Sequence, residues 1–245
     1  MEFLVVTDLD GTLLDHASYD WRPAAPALGA LAARGIPVIL ASSKTAAEMA
    51  PLQAEMGLVG LPAIVENGAG LMGADAPPRY DDLRADLDRL APGLRAQFTG
   101  FGDMSAAHVA QITGLSPAAA AAAKDRHFSE PGIFGGADED AFVAALAELG
   151  LYARRGGRFL TLSYGHTKAD ALRKVARRYP GRRIVALGDA PNDAEMLEAA
   201  DIGIVIRNDA GPGAGPLRGD IRYSRAEGPA GWNEMMLGLL EDWAA

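Results

Sequence analysis

The sequence predicts an α/β protein, a parallel-sheet core interrupted by an inserted α+β segment. Three observations predict it. Short apolar runs alternate with helical segments at both ends of the 245-residue chain. Acidic pairs directly follow two of those runs, at Asp8-Leu9-Asp10 and at Gly188-Asp189-Ala190-Pro191-Asn192-Asp193, and an open α/β sheet binds its ligands beyond the C-terminal strand ends. Between the two regions, residues 79–164 break the alternation and read as a separate α+β unit.

The elements follow in order. Phe3 to Thr7 is apolar and partly β-branched, a short buried strand. Pro23 to Ala33 reads as a helix with proline in its first turn, ended by Gly35. Ile36 to Ala41 is a second strand. Thr45 to Met56 is a helix that Pro51 should kink or shorten. Ala63 to Val65 is a third strand and ends in Glu66-Asn67-Gly68. A Pro-containing break at 74–78 is a candidate hinge, and 164–166 is its return. Within the insert, Asp82 to Leu90 and Ser105 to Ile112 read as helices. Ser116-Pro117 starts another by cap and proline. Asp138 to Leu149 is an amphipathic helix with acids at its start and Gly150 after it. Leu151 to Ala153 and Arg158 to Ser163 are strands flanking Gly156-Gly157. The alternation then resumes with a helix at Lys168 to Tyr179, a strand at Ile184 to Leu187, a helix at Asn192 to Ala199 and a strand at Ile202 to Ile206. A Gly/Pro-rich surface loop spans Asn208 to Gly219, and a closing helix spans Pro229 to Trp243.

Composition bounds the function. The chain is 49% hydrophobic and 22% charged, enough for a sizeable core. A net charge of −9 argues against nucleic-acid or acidic-membrane partners, so an anionic ligand must be held by local cations. Cysteine is absent, which removes disulfides and thiolate sites. No apolar run is long enough to span a bilayer. The acidic N-terminus is unlike a signal peptide, so the expected setting is the cytoplasm. The sequence leaves the oligomeric state open. Only four lysines occur among 23 basic residues, which draws attention to where they fall.

Asp8 and Asp10 at one strand end repel each other, so a positive partner is expected. Mg²⁺ fits, because it takes oxygen ligands from one or two carboxylates together with substrate phosphate. Asp189 and Asp193 supply carboxylates at another strand end, where a cation shared with Asp8 would need them. Asn192 or Asp193 also suits a helix N-cap. Ser42, just past the second strand, can donate a hydrogen bond to a phosphate oxygen, and Ser43 competes for that role. Lys168 opens a helix and can neutralise charge developing on a phosphoryl group.

The segment Asp8-Leu9-Asp10-Gly11-Thr12-Leu13, with Ser42, Lys168 and the Gly188–Asp193 motif, resembles the haloacid dehalogenase-like hydrolases. That resemblance implies a Rossmann-like core with the insert as a cap, so that 1–78 and 165–245 form the catalytic core and 79–164 the substrate-specificity domain. It implies that Asp8 attacks phosphorus and Asp10 serves as general acid and base. Asp8, Asp189 and the backbone carbonyl of Asp10 would hold Mg²⁺, Asp193 would hold metal-bound water, and Asn192 would steady the loop.

Further segments resemble one branch, the mannosyl-3-phosphoglycerate phosphatases. They are Ile39 to Thr45, Ile64 to Ala69, Arg126-His127-Phe128-Ser129-Glu130-Pro131, and Arg155-Gly156-Gly157-Arg158-Phe159. The resemblance implies a phosphatase for a small phosphorylated substrate that carries phosphate, carboxylate and sugar. Arg126, Arg155 and Arg158 would pair with its anionic groups. Gly156 and Gly157 would let backbone N–H groups approach an anion, or simply form a hairpin turn. Glu66, Ser129 and Glu130 would bind sugar hydroxyls, with Lys44 near the phosphate and Asn67 among the substrate-binding residues. His127 and Thr161 stand where that family often has glutamate and histidine, which leaves mannosyl, glucosyl and other sugar phosphates open. A phosphomutase and a non-catalytic sugar-phosphate binder are the rival readings.

Overall fold

The computed structural model describes residues 2–73, 77–156 and 158–243. In chain order its elements are β1 (Phe3–Thr7), α1 (Ala25–Ala33), β2 (Val38–Leu40), α2 (Ala46–Glu55), β3 (Ala63–Val65), β4 (Gly70–Met72), α3 (Tyr80–Leu87), α4 (Pro92–Arg95), β5 (Phe98–Gly100), α5 (Ala106–Thr113), α6 (Pro117–Lys124), β6 (Glu130–Phe134), α7 (Glu139–Glu148), β7 (Tyr152–Gly156), β8 (Phe159–Ser163), α8 (Lys168–Ala176), β9 (Arg183–Gly188), α9 (Ala194–Glu198), β10 (Ile202–Arg207), β11 (Ile221–Glu227) and α10 (Gly228–Asp242). The contacts divide the chain into two compact units. One comprises Met1–Ser43, Leu52–Ala74 and Thr167–Ala245, and the other Lys44–Pro51 and Asp75–His166. The division runs within α2 after Pro51, which cannot donate to the helix ladder, yet the helix continues through it to Glu55.

The first unit carries a five-stranded sheet in the order β11-β10-β9-β1-β2, with every pairing parallel. β1 lies fully buried between β9 and β2, as expected for a strand covered on both faces. On one face Leu4, Val6 and Ile39 meet Ala171, Leu172 and Val175 of α8 and Met196 and Leu197 of α9. Elsewhere α10 packs on α1, β10 and β11 and buries Trp232, Met236, Leu239 and Leu240. Because the sheet is parallel, the ends of β1, β2, β9 and β10 emerge at one edge. This is the Rossmann-like core that the sequence predicts.

The second unit holds an antiparallel sheet in the order β5-β6-β8-β7. β8 alternates strictly, with Leu160 and Leu162 buried and packed against Leu83 and Leu87 of α3 and Phe142 and Leu146 of α7. Ser116 caps α6 through its side chain, as its sequence position predicts, and Asp138, read as the first residue of α7, is its cap instead. A buried polar network ties the sheet to α3. Glu130 on β6 accepts from Tyr80 Oη, from Arg84 Nη1 at 3.2 Å and from the Gly102 N–H at 3.0 Å. Asp103 accepts from Arg84 at 2.5 Å and from Arg95 at 2.9 Å.

The structure differs from the sequence reading in several places. β3 does not extend the main sheet as a full strand. An isolated bridge joins its Ile64 to Ala41, just past β2, and it forms a hairpin with β4. β5 and β6 were not predicted, because Glu130-Pro131-Gly132 reads as a break. Pro131 is tolerated because the β5 pairing stops at Gly100–Gly132 and leaves β8 as the only paired strand beside it. β11 escaped notice because its sequence, Ile221-Arg222-Tyr223-Ser224-Arg225-Ala226-Glu227, is that of a polar edge strand. α8 ends at Ala176 instead of Tyr179. Gly156 closes β7 opposite Phe159, which makes this segment a hairpin. Gly157 and the first part of the 74–78 break lie outside the described residues. Among the described residues, no helix is long and apolar enough to cross a membrane.

The Asp103 network gives the second unit a pH dependence. Burial alone would raise the Asp103 carboxyl, but hydrogen bonds from Arg84, the Gly100 N–H and Arg95 outweigh it and hold the group at about 2. A depressed folded value stabilises the fold above the ordinary carboxylate value of 3.8, and that stability is lost as pH falls towards about 2. Acid unfolding followed by circular dichroism should therefore lose a component in that window in Asp103→Asn.

Candidate active site

Asp8 follows β1 directly, and its N–H still donates to the Leu187 carbonyl of β9 at 2.8 Å. The chain then turns tightly: the Thr12 and Leu14 N–H groups both donate to the Leu9 carbonyl, at 3.1 and 2.7 Å. Gly11 makes this turn possible. Its φ is +82°, and a Cβ there would lie 2.5 Å from Asn208 Nδ2 and 2.7 Å from Asp189 Oδ2. The turn delivers Thr12 Oγ1 to Asp189 Oδ1 at 2.7 Å, while Asn208 Nδ2 donates to Asp189 Oδ2 at 2.7 Å. Each Asp189 oxygen thus has a fixed donor, and the carboxylate is aimed before any ligand arrives. Burial raises the Asp189 carboxyl, and the Asn208 and Thr12 hydrogen bonds offset part of that rise.

Lys168 is the first residue of α8. Thr167 caps the helix by accepting from the Asp170 N–H, and the Asp170 carboxylate accepts in return from the Thr167 N–H. The lysine is 1% exposed. Its Nζ donates to Asp8 Oδ1 at 2.5 Å and to Asp193 Oδ1 at 2.7 Å. Burial alone would lower the ammonium's pKa, but the carboxylates of Asp193 and Asp8 outweigh it and hold the proton on more tightly. The other Asp193 oxygen accepts from the Asp189 and Ala190 N–H groups at 3.2 and 3.1 Å. Both Asp193 oxygens therefore have protein donors, and its side chain closes the 189–193 turn without capping α9.

Asp8, Asp189 and Asp193 each place a carboxylate oxygen within 4.8 Å of the others. Burial pushes the Asp8 carboxyl well above its usual range, and Asp193, Asp10 and Asp189 push it further against the pull of Lys168. Several carboxylates facing one ammonium leave buried negative charge uncompensated. An all-oxygen donor set with this charge excess suits a hard divalent cation, so the residues present fit Mg²⁺.

The Glu66-Asn67-Gly68 turn adjoins this cluster. All three residues have positive φ, at +52°, +58° and +94°. A left-handed conformation costs a non-glycine residue about 1–2 kcal/mol, so Glu66 and Asn67 need tertiary support. The Asn67 N–H donates to the Ser42 carbonyl at 2.9 Å, and Asn192 Nδ2 donates to Asn67 Oδ1 at 3.2 Å. A Cβ on Gly68 would lie 2.1 Å from the Thr167 carbonyl oxygen, so the turn packs directly on the start of α8. Ser42 is fully buried at the end of β2, whereas Ser43 is exposed.

The first unit thus gathers Asp8, Asp10, Asp189, Asp193, Lys168, Ser42, Asn67 and Asn192 at one sheet edge, with Glu66 buried in the adjoining turn. Apart from Glu66, the residues expected to contact sugar and carboxylate lie in the second unit. Glu130 is fully buried and its carboxylate accepts hydrogen bonds from Tyr80, Arg84 and Gly102. Arg126 is buried and donates to Ser129 Oγ at 2.7 Å. Arg155 pairs with Glu139, and Arg158 donates to the Thr113 carbonyl at 3.3 Å. Lys44 is half-buried in the same unit. Thr12 and Asn208 were missed as site residues. Each is a short polar residue just beyond a sheet strand, a signal that is weak until the strands are ordered in space.

With this geometry established, comparison with known proteins places the chain. Residues 5–77 and 149–211 match the family model of the haloacid dehalogenase-like hydrolases. The chain belongs to that family. Solved structures share the fold over nearly the whole length. A phosphatase of the superfamily, BT1666 from Bacteroides thetaiotaomicron, is 20% identical with a TM-score of 0.64, over 98% of this chain and 95% of that one. The sucrose-phosphatase of Synechocystis sp. PCC6803, solved with sucrose and phosphate, is 15% identical with a TM-score of 0.65, over 97% and 98%. The subclass IIB sugar phosphatase BT4131 is 15% identical with a TM-score of 0.66, over 99% and 100%.

Gly68→Ala tests the packing of the 66–68 turn against α8. The left-handed φ and the Thr167 carbonyl both oppose a methyl group, so unfolding in urea should show a loss above about 2 kcal/mol. A loss below about 0.5 kcal/mol, the range of an ordinary surface substitution, would mean that the turn does not press on α8.

Proposed function

We propose that the protein is a Mg²⁺-dependent phosphatase that hydrolyses a small phosphomonoester through an aspartyl-phosphate on Asp8. The observation that carries the reading is the bridge from Lys168 to Asp8 and Asp193, with Asp189 beside it. A protonated lysine on Asp8 Oδ1 favours the ionised carboxylate against the burial that pushes its pKa up. It also supplies positive charge where the transferring phosphoryl group accumulates negative charge.

In the first step an Asp8 oxygen attacks phosphorus and the phosphorus–oxygen bond to the leaving alkoxide breaks, with Asp10 giving that oxygen its proton. In the second, Asp10 takes a proton from water, the water oxygen attacks phosphorus, and the bond to Asp8 breaks to release inorganic phosphate. Ser42 binds a phosphate oxygen, and its burial at the strand end favours it over Ser43. Mg²⁺, held by Asp8, Asp189 and the Asp10 carbonyl with Asp193 on its water, would screen the repulsion between Asp8 and the phosphate. Asn67 and Asn192 brace the turn beside them.

In this reading 1–78 with 165–245 is the catalytic core and 79–164 the specificity domain. The substrate is mannosyl-3-phosphoglycerate or a related glycosyl phosphate such as the glucosyl compound. Support comes from the motifs at Ile39–Thr45, Ile64–Ala69, Arg126–Pro131 and Arg155–Phe159, and from structural neighbours that act on sugar phosphates. Arg126 with Ser129, and Arg155 and Arg158 on the hairpin, are the groups proposed for the substrate's anionic and hydroxyl positions. Glu130 enters the same proposal as the buried brace of that region.

Asp8→Asn should remain folded and lose at least about 10³-fold in kcat towards p-nitrophenyl phosphate, and EDTA should abolish wild-type turnover. Activity near wild type in the Asn variant would refute the nucleophile. Phosphate release across a panel of glycosyl-phosphoglycerates and sugar phosphates should peak on a glycosyl-phosphoglycerate. Conversion of substrate to a phosphate isomer, with no phosphate released, would mark a mutase.

A further inference from the structure

Trp232 and Thr7 form a hydrogen-bonded line that ends on the backbone of Asp8. Neither residue takes part in the chemistry above. We infer that the Trp232–Thr7 pair is a positioning device that fixes the peptide bearing the nucleophile, an inference that rests on Asp8 being that nucleophile. Trp232 is fully buried on α10, and its Nε1–H donates to Thr7 Oγ1 at 2.9 Å. Thr7, the last residue of β1, is also fully buried, and its Oγ1 donates to the Asp8 backbone carbonyl at 2.8 Å.

The direction of this line is forced. An indole N–H can only donate, while a threonine hydroxyl has one proton and two lone pairs. A hydroxyl that accepts from the indole keeps its single proton for the Asp8 carbonyl. Asp8 is then held at three points: its N–H by Leu187 O at 2.8 Å, its carbonyl by Thr7, and its Oδ1 by Lys168 at 2.5 Å. β1 ends at Thr7, so the Thr7 hydroxyl takes the place of a ladder partner for the first carbonyl beyond the strand. The far end of the line is also anchored. Asn233, beside Trp232, accepts from the Ala27 N–H of α1 at 3.0 Å. The C-terminal helix thereby sets the backbone from which the Asp8 carboxylate projects.

In-line attack is sensitive to such placement: a displacement of about 1 Å can cost about 100-fold in rate. Thr7→Val is nearly isosteric and removes both hydrogen bonds. Thr7→Ser keeps the hydroxyl, and Trp232→Phe keeps an apolar ring without the donor. With p-nitrophenyl phosphate and Mg²⁺, Thr7→Val should lose about 10-fold or more in kcat with KM within about twofold. Thr7→Ser should stay within about threefold of wild type, and Trp232→Phe should fall between the two. A purely structural role would lower the Tm and leave kcat per folded molecule unchanged, and that result overturns the inference. Equal losses in Thr7→Ser and Thr7→Val also overturn it, since packing and not the hydroxyl would then be responsible. If Thr7→Val does not fold, Trp232→Phe decides by the same kcat criterion. Asp8→Asn is assayed alongside, and activity retained there overturns the nucleophile assignment instead.

Discussion

One ammonium group placed among carboxylates governs the site. Lys168 is buried and bridges Asp8 and Asp193 at 2.5 and 2.7 Å. Removing the ammonium would leave two buried carboxylates without their partner, the costly way to break such a contact. The bridge does not balance the charge, because Asp189 and Asp10 add to the negative side. The fold therefore holds a charge excess at the edge where the parallel strands end. Stability and chemistry make opposite demands here, and a bound cation would reconcile them.

The rest of the core follows from the need to keep that excess in place. A parallel sheet brings four strand ends to one edge. The tight turn after Asp8 needs Gly11 so that Thr12 and Asn208 can both reach Asp189. The left-handed turn at 66–68 presses on the first residues of α8, whose capping box fixes where Lys168 starts. The Trp232–Thr7 line fixes the backbone of Asp8 from the side of α10. Each device acts on the direction of a charged side chain more than on the volume of the core.

Much of this was legible in the sequence, and for definite reasons. β1, β9 and β10 are uniform apolar runs bounded by turns, the signature of buried parallel strands. Asp8, Asp189 and Lys168 stand immediately beyond such runs or at a capped helix start, so local pattern alone places them. β6 and β11 were hidden because the first contains Pro and Gly and the second is a polar edge. The paired role of Thr12 and Asn208 was hidden because it joins residues from strands far apart in sequence. The commitments of Glu130 depend on Tyr80, Arg84 and Gly102, which no linear motif unites. What nearness in sequence can encode was readable, and what only the packing of distant segments creates was not.

Titration of the substrate-free protein with Mg²⁺, read by thermal unfolding, tests the central claim most directly. A charge excess that a cation relieves predicts a saturable rise in Tm, on the order of 5 °C at about a hundredfold excess over Kd. In Asp189→Asn, which removes one carboxylate and leaves Lys168 its two partners, the rise should be much smaller. No rise in the wild-type protein, or an equal rise in the variant, would contradict the account.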